Sequence, residues 1–345
     1  MRLSVQRIRT LSLAVTLFGT VPLLRAQTAP SLADCAAIGS DGERLACYDR
    51  AAGRAVAPPS GDEPAVAPPG AAQPAAVAGG LRAPPSLIDA AWGFGPSSSR
   101  YTIDLYNQNY LLIGRYTDNL NTAPYSPVFA AAGQPESLDD IEAKFQISFK
   151  IRLWTTEDRR WGVWAGYTQQ SQWQVYNDDI SRPFRETNYM PELFASWRPG
   201  IELGGLHWNL LNVGYTHQSN GRTDLLSRSW DRIIATFGFE RENFALLAKA
   251  WYPFNYEDDN PRITDFYGYG SLTAIYKWRD HSFSLMGRGS IANGKGAAAF
   301  TWMSPRLLGP LRAYVQAFAG YGESLIDYNW NQNTIGAGVA LNDAL

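Results

Sequence analysis

Histidine, cysteine and long apolar runs are scarce in this chain of 345 residues. The three histidines and two cysteines form no cluster in the C-terminal part that suits a transition metal. After Leu11–Leu24 no run approaches the ~18 apolar residues of a membrane-spanning helix. The net charge is −2 with both signs interspersed, and no basic stripe suggests nucleic acid as a partner.

The first 26 residues have the features of a secretory signal peptide. Three arginines precede the apolar run Leu11–Leu24, and Arg25-Ala26-Gln27 follows it, so cleavage is predicted near Ala26. The run is shorter than the ~20 residues of a comfortable membrane span. We therefore predict that residues 1–26 direct export.

A short segment and a linker come next. Cys35 and Cys47 lie in residues 27–54, and an exported chain meets an oxidising compartment, so a local disulfide is predicted. A free or metal-binding pair is the alternative. Residues 55–85 are rich in Ala, Pro and Gly and behave as an extended linker, which places the folded body at residues 86–345.

Aromatic residues are abundant in this body. The chain has 12 Trp, 18 Tyr and 15 Phe, nearly all after residue 90. Membrane interfaces concentrate these amphipathic rings in belts, whereas soluble cores need fewer of them. An exported, aromatic-rich chain without membrane helices indicates an outer-membrane β-barrel.

The hydrophobic pattern of the body has a period of two. In Ile141–Trp154, "IEAKFQISFKIRLW", apolar residues from Ala143 to Leu153 alternate with polar residues from Glu142 to Arg152. This alternation predicts a strand with one oily and one polar face, as in a barrel with a polar lumen.

Ten further segments share this character. They are Trp161–Trp173, Met190–Trp197, Leu210–Ser219, Trp230–Phe239, Phe244–Tyr252, Gly268–Trp278, Phe283–Ser290, Ala297–Trp302, Arg312–Gly320 and Thr334–Leu341. With spans of ~9–11 residues, the body is predicted to be an all-β, antiparallel transmembrane barrel of roughly twelve strands. Ten or fourteen strands also fit the length.

Strand parity places one histidine and one serine on the oily face. In "YTHQSNGRTD", His217 and Ser219 share a face with Tyr215, and Asp231 falls on the apolar side of the next strand. Polar groups facing lipid are costly unless they pair, and these three suit a nucleophile, a base and an orienting acid. The alternative is an Asn-Gly hairpin whose polar residues lie at the water interface.

Gln169 also continues an apolar face. Its amide points toward lipid along "WGVWAGYTQQSQW", where it could pair across a subunit interface or lie at the headgroup level.

The motifs around these residues resemble those of the outer membrane phospholipase A family. The matching strings are "THQSNGR", "SRSWDR", "SRPFRETNY", "DDNPRIT", "GYGESLIDYNWNQ" and "LND", between about residue 140 and residue 345. The resemblance implies a twelve-stranded barrel in the bacterial outer membrane, with an active site on the exterior near the outer leaflet. It also implies hydrolysis of phospholipid acyl esters at sn-1 and sn-2, including lysophospholipids, with calcium and homodimerisation as activators.

The resemblance assigns roles residue by residue. Ser219 would be the nucleophile, His217 the base and the backbone N–H of Gly221 an oxyanion donor. One Ca²⁺ per active site would bind the Ser227 hydroxyl, the Arg222 carbonyl and the carbonyl of Ser181 from a partner subunit. Asp224 matches a further acidic position near the metal, and Gln169 matches a glutamine at the dimer interface.

Two positions depart from the family pattern. Asp231 stands where well-known members have Asn, and the chain ends in Leu345 rather than an aromatic. A carboxylate can orient His217 and favours imidazolium, but it is costlier to bury than an amide. Two alternatives remain: a non-catalytic barrel or channel, with Lys144, Lys150 and Arg152 setting selectivity, and a barrel hydrolase acting on lipid A.

Overall fold

The computed structural model describes residues 31–52, 86–133, 137–256 and 258–345. The predicted signal peptide and linker, residues 1–26 and 55–85, lie outside the described residues, as does the side chain of Asp224.

In the N-terminal unit, residues 1–79, the described residues 31–52 form two short helices joined by a disulfide. Helix α1 is Leu32–Ala36, and helix α2 is Asp41–Ala51. The Ser31 hydroxyl accepts a hydrogen bond from the Asp34 N–H and so caps α1. Cys35 and Cys47 are buried and bonded to each other, which confirms the predicted disulfide.

The C-terminal unit, residues 80–345, is a closed antiparallel barrel of twelve strands that follows helix α3, Leu87–Trp92. The strands and α-helices are β1 (Ile103–Leu105), β2 (Asn109–Thr117), α4 (Ser126–Ala132), β3 (Ile141–Thr155), β4 (Trp161–Trp173), β5 (Phe184–Trp197), β6 (Ile201–Leu203), β7 (Leu206–Ser219), β8 (Ser229–Arg241), β9 (Phe244–Phe254), α5 (Ile263–Tyr267), β10 (Gly270–Trp278), β11 (His281–Ser290), β12 (Lys295–Leu308), β13 (Leu311–Tyr321) and β14 (Asn331–Asn342).

Closure joins the first and last strands of the barrel. Strands β1 and β2 both pair with β3, so together they form one interrupted barrel strand, and β2 also pairs with β14. Strand β6 is a short addition that pairs with β7. The predicted fold class is therefore confirmed, with twelve as the strand number.

The alternation of side chains divides the wall into two faces. In β3 the polar residues Glu142, Lys144 and Lys150 are buried in the lumen, while Ile147 and Leu153 are exposed on the outside. Closure satisfies the backbone donors and acceptors of the wall, and the apolar exterior suits lipid.

Sequence patterns missed the first strand and shortened others. The interruption "YNQ" between β1 and β2 breaks the alternation, and Asn109, the first residue of β2, donates from its side chain to the backbone carbonyls of Asn107 and Ser148. Strand β5 begins at Phe184 rather than at the predicted Met190. The prediction began too late because the first residues of the strand include the lumenal charged residues Arg185 and Glu186.

Helix α3 occupies the end of the barrel that has the shorter turns. Glu240 accepts from the Ile88 N–H at 3.0 Å, and Arg198 pairs with Asp89 at 2.7 Å. Trp92 packs edge-on against Trp164, with ring centroids 6.0 Å apart. Leu345 turns inward and packs against the same cluster. The chain terminus and α3 thus fill one end of the lumen together.

The loop after β13 and helix α5 occupy the long-loop end of the lumen. The cluster there includes Leu325 and Tyr328 of the loop and Tyr267 of α5. Beneath them Glu323 pairs with Arg115 and with Lys144, the latter at 2.9 Å. The described residues leave a cavity of about 430 Å³ between the two fillings.

None of the helices in the described segments combines the length and apolarity that a membrane crossing requires.

Candidate active site

The predicted catalytic residues lie on the exterior at the long-loop end of the barrel. His217 and Ser219 are on the outward face at the end of β7, and His217 stands directly opposite Asp231 of β8 in the ladder. The three side chains are thus brought to one place by the pleat and the register of two adjacent strands.

His217 and Asp231 are hydrogen-bonded. The Nδ1 atom of His217 lies 2.8 Å from Oδ1 of Asp231. The Asp231 side chain is 14% exposed and that of His217 is 36% exposed. When Nδ1 carries the proton, Nε2 is left as a base for the adjacent hydroxyl.

Ser219 is two residues from His217 on the same face, about 6–7 Å along a strand. Within the described chain no hydrogen bond joins its hydroxyl to the imidazole, a looseness that is common in active sites without substrate.

The pairing between β5 and β7 is interrupted beside His217. Tyr189 pairs with Ser219 and Glu192 with Thr216, but the ladder skips the positions between them. Pro191 occupies this gap and has no N–H to contribute. The interruption therefore leaves His217 and Gln218 without paired residues on the side of β5.

The loop that follows Ser219 is organised by the buried side chain of Asn220. Its Oδ1 accepts from the N–H groups of Arg222 and Arg228 at 3.3 and 3.0 Å. Its Nδ2 donates to the Leu226 carbonyl at 2.8 Å and to Glu186 Oε2 at 3.3 Å. Residues 220–228, with the 3-10 helix Asp224–Leu226, are therefore a braced loop and not the tight Asn-Gly hairpin of the alternative interpretation.

Gly221 begins this loop with a backbone φ of +64°. This left-handed conformation suits glycine, and a Cβ here would lie 3.2 Å from the Tyr189 ring. No described residue accepts a hydrogen bond from its N–H, and the residue is exposed two positions after Ser219.

Two of the predicted calcium ligands are in the same loop, and the third is elsewhere. Arg222 donates its guanidinium to the carbonyls of Phe184 and Arg185, which directs its side chain toward β5. Ser227 lies near the end of the loop, while Ser181 is exposed in the connection between β4 and β5 with φ +61°.

The oxygens of the predicted calcium ligands have the chemistry that the metal prefers. Within the described residues, the Ser227 hydroxyl and the carbonyls of Arg222 and Ser181 have no hydrogen-bond partner. A hydroxyl and two carbonyls are hard oxygen donors, which Ca²⁺ binds together with water. The described residues contain no group of three His, Cys, Asp or Glu side chains placed to hold a metal ion, so the fit to Ca²⁺ rests on these neutral oxygens.

Gln169 lies on the outer face of β4, as parity predicts. The Tyr167 hydroxyl donates to its Oε1 at 3.1 Å, and its Nε2 lies 3.4 Å from the Ser171 hydroxyl. Its role at a subunit interface stays a prediction.

The other two histidines are remote from this site. His281 stacks in an aromatic cluster with Trp278 and Trp302, and His207 is exposed near the start of β7.

The family model described as phospholipase A1 matches residues 95–341, which is nearly the whole barrel unit. The chain belongs to the phospholipase A1 family. The match spans the site and every strand except part of the last one.

Named relatives agree with this assignment. Phospholipase A1 of Escherichia coli K12 is 39% identical over 246 residues, which cover 70% of this chain and 82% of the relative. A putative phospholipase A1 of Neisseria meningitidis serogroup B is 33% identical and covers 95% of both chains. That alignment extends beyond the barrel into the N-terminal residues.

Solved structures show the same fold. Outer membrane phospholipase A from E. coli has a TM-score of 0.66 and 37% identity, covering 70% of this chain and 94% of that one. The Salmonella typhi outer membrane phospholipase, a dimer with bound calcium, has a TM-score of 0.66 and 36% identity over 71% and 93% of the two chains.

Sequence reasoning missed four residues of the site: Tyr215, Asn255, Asn220 and Tyr189. Tyr215 had a usable signal, because it shares the strand face of His217 two residues away. Asn255 had none, since its contact depends on how the chain leaves β9.

Proposed function

We propose that this chain is an outer-membrane phospholipase that hydrolyses phospholipid acyl esters with Ser219, His217 and Asp231. The observation that supports this most directly is the 2.8 Å contact between His217 and Asp231 on the lipid-facing side, next to Ser219. In a passive barrel, such groups on the exterior would only add a desolvation cost.

The orientation in the membrane follows from the lengths of the connections. Outer-membrane barrels keep short turns on the periplasmic side and long loops outside the cell. The site is at the long-loop end, so it faces the outer leaflet. Export by a cleaved signal peptide, residues 1–26, belongs to the same proposal.

Ser219 attacks the ester carbonyl while His217 Nε2 takes its proton. Asp231 accepts the Nδ1 proton of His217 in a hydrogen bond and stabilises the imidazolium. The Gly221 N–H donates to the carbonyl oxygen as it becomes negative. The C–O bond to the glycerol then breaks, His217 returns the proton to the leaving alcohol, and the acyl group stays on Ser219 until water hydrolyses it.

The geometry around Ser219 favours no single ester position. The nucleophile lies at the end of an open outer wall, and acyl chains can lie against the apolar exterior. We therefore assign A1, A2 and lysophospholipase activity to the same site.

Calcium is part of the proposal, with one ion per active site. Arg222, Ser227 and a partner subunit's Ser181 would hold it, and Asp224 lies in the same loop. When bound, the ion would supply positive charge near the developing oxyanion. The calcium-bound dimer of the Salmonella relative supports two parts of this proposal, the use of calcium and the homodimer. Gln169 would hydrogen-bond across that interface.

The lumen does not favour the channel alternative. Helix α3 and the loop after β13 fill its two ends, and a buried ion pair joins Glu323 of that loop to Arg115 of the wall.

The test compares purified wild-type protein with Ser219→Ala and His217→Gln in detergent and in vesicles. Each is incubated with defined phospholipids or with lipopolysaccharide, in calcium or in chelator. We expect phospholipid hydrolysis with calcium and loss of about 10³-fold or more in both variants. Hydrolysis by the Ser219→Ala protein would exclude the assignment, and release of acyl chains from lipopolysaccharide alone would favour the lipid A alternative.

A further inference from the structure

The carboxylate of Asp231 has more partners than orientation of an imidazole requires. Its Oδ1 accepts from His217 and also from the Tyr215 hydroxyl at 2.6 Å. Its Oδ2 accepts from Asn255 Nδ2 at 3.0 Å. Three hydrogen bonds to one largely buried carboxylate replace much of its lost hydration.

Two independent features of the chain create this arrangement. Tyr215 precedes His217 by two residues and therefore projects from the same face of β7. Its ring is 6.2 Å from that of Phe254, the β9 residue that stands opposite Asp231. The hydroxyl is thus held over the carboxylate by packing on its apolar side.

Asn255 reaches Asp231 from the other side by a special backbone conformation. It follows the last residue of β9 and has φ +50°, a left-handed conformation that asparagine tolerates better than most residues. Such conformations are retained where the surroundings determine them, often at functional sites. Here the amide is directed back to Asp231, across the strand pair.

The two donors, Tyr215 and Asn255, contact the residue at which this chain departs from the family pattern, Asp231. An Asn at position 231 would orient His217 without a charge, whereas Asp231 places a full negative charge at the lipid-facing rim. Among the described side chains that hydrogen-bond to Asp231, only His217 can carry a positive charge. Phe254 is apolar, Arg232 points into the lumen, and Ser229 is bonded to Asp259.

We propose that Tyr215 and Asn255 are positioning residues that hold the Asp231 carboxylate in place for His217 and so allow an acid to replace the amide. The inference rests on the proposed function. Because Tyr215 shares Oδ1 with His217, it disperses the negative charge that faces the imidazole. Removing the hydroxyl concentrates that charge on His217, stabilises the imidazolium, and moves the acid limb of the pH–rate profile to higher pH.

The experiment uses Tyr215→Phe, which keeps the ring against Phe254, and Asn255→Gly, which keeps the left-handed backbone. Tyr252→Phe is the matched control, because Tyr252 is on the same outer face and 71% exposed. We expect kcat to fall about ten- to a hundredfold in the first two variants with KM little changed, and no change in the control. Folding is checked by heat-modifiable migration on gels.

A double-mutant comparison separates positioning from general packing. In an Asp231→Asn background, which we expect to be active, Tyr215→Phe should cost much less than it does beside the carboxylate, and the acid limb should not move. An equal loss in both backgrounds would overturn the proposal, as would wild-type kcat and pH profile in Tyr215→Phe. Ser219→Ala is measured first, because hydrolysis by that variant would contradict the proposed function itself. Only when that variant is inactive do the Tyr215 and Asn255 variants test the positioning role.

Discussion

Asn220 offers the most direct test of how the active-site loop is built. Its side chain makes four hydrogen bonds, at 2.8, 3.0, 3.3 and 3.3 Å, and the residue is only 4% exposed. At about 0.5–1 kcal/mol each, because two of the four bonds are long, their loss in Asn220→Ala amounts to ~2–4 kcal/mol of loop order. If the loop must be ordered for reaction, this corresponds to a fall of about 30- to 1,000-fold in kcat/KM.

Asn220→Asp separates the hydrogen bonds that the Asn220 side chain accepts from those that it donates. The aspartate still accepts from the N–H groups of Arg222 and Arg228, but it cannot donate to Leu226 and it faces the Glu186 carboxylate. We therefore expect a loss at least as large as that of the alanine variant. The matched control is Asn119→Ala, which removes a single exposed hydrogen bond to the Asn331 carbonyl in another loop.

The assay is a calcium titration of hydrolysis, combined with calorimetric titration of calcium to the same proteins. Half-saturation should move to higher calcium, because the loop carries the Arg222 and Ser227 oxygens. Labelling of Ser219 by a sulfonyl fluoride in chelator should change little. Identical titrations of wild type and Asn220→Ala would refute the reasoning, since the loop would then hold its shape without the amide.

Two further changes test the lumen and the loop turn. Burial raises the pKa of Glu323, but the charges of Arg115 and Lys144 outweigh it and hold that pKa well below its usual range. Its stabilising effect is therefore present above the pKa of an unfolded glutamate and is lost as pH falls. Glu323→Gln should lower the free energy of unfolding by ~3–5 kcal/mol at neutral pH, with a smaller difference in acid. Urea unfolding at both pH values measures this, and equal midpoints at neutral pH would contradict it. Gly221→Ala puts a Cβ 3.2 Å from the Tyr189 ring in a left-handed backbone, costing ~1–2 kcal/mol. We expect about tenfold slower hydrolysis in a folded barrel, and unchanged turnover would contradict the oxyanion role.

The wall of the barrel could be read from the sequence because strand parity is a local property. Ile147 and Lys150 report opposite faces through their spacing alone, and the same rule placed His217 and Asp231 on one side. The pairing of these two residues in the ladder depends only on where the loop between β7 and β8 begins and ends. Strand β2 was not predicted, because the polar segment "YNQ" turns inward and interrupts the alternation.

The supporting contacts could not be derived in this way. Asn220 next to glycine has the composition of a tight hairpin, and only its side-chain hydrogen bonds to Arg222, Leu226 and Arg228 show that it braces a longer loop. Asn255 contacts Asp231 through a backbone angle that its neighbours do not dictate. Contacts between segments far apart in the chain depend on the closed barrel, which no local pattern specifies.

The position of Ser219 on the outer wall changes what substrate concentration means for this protein. With Ser219 as the proposed nucleophile, a lipid would reach the site by lateral diffusion, so the relevant quantity would be its mole fraction in the surrounding leaflet and not its molarity in water. Lowering the amount of protein in a membrane of fixed composition would not change the mole fraction of lipid around each molecule. The enzyme would instead respond to membrane disorder that brings phospholipid into the outer leaflet, and its rate would report the asymmetry of the membrane.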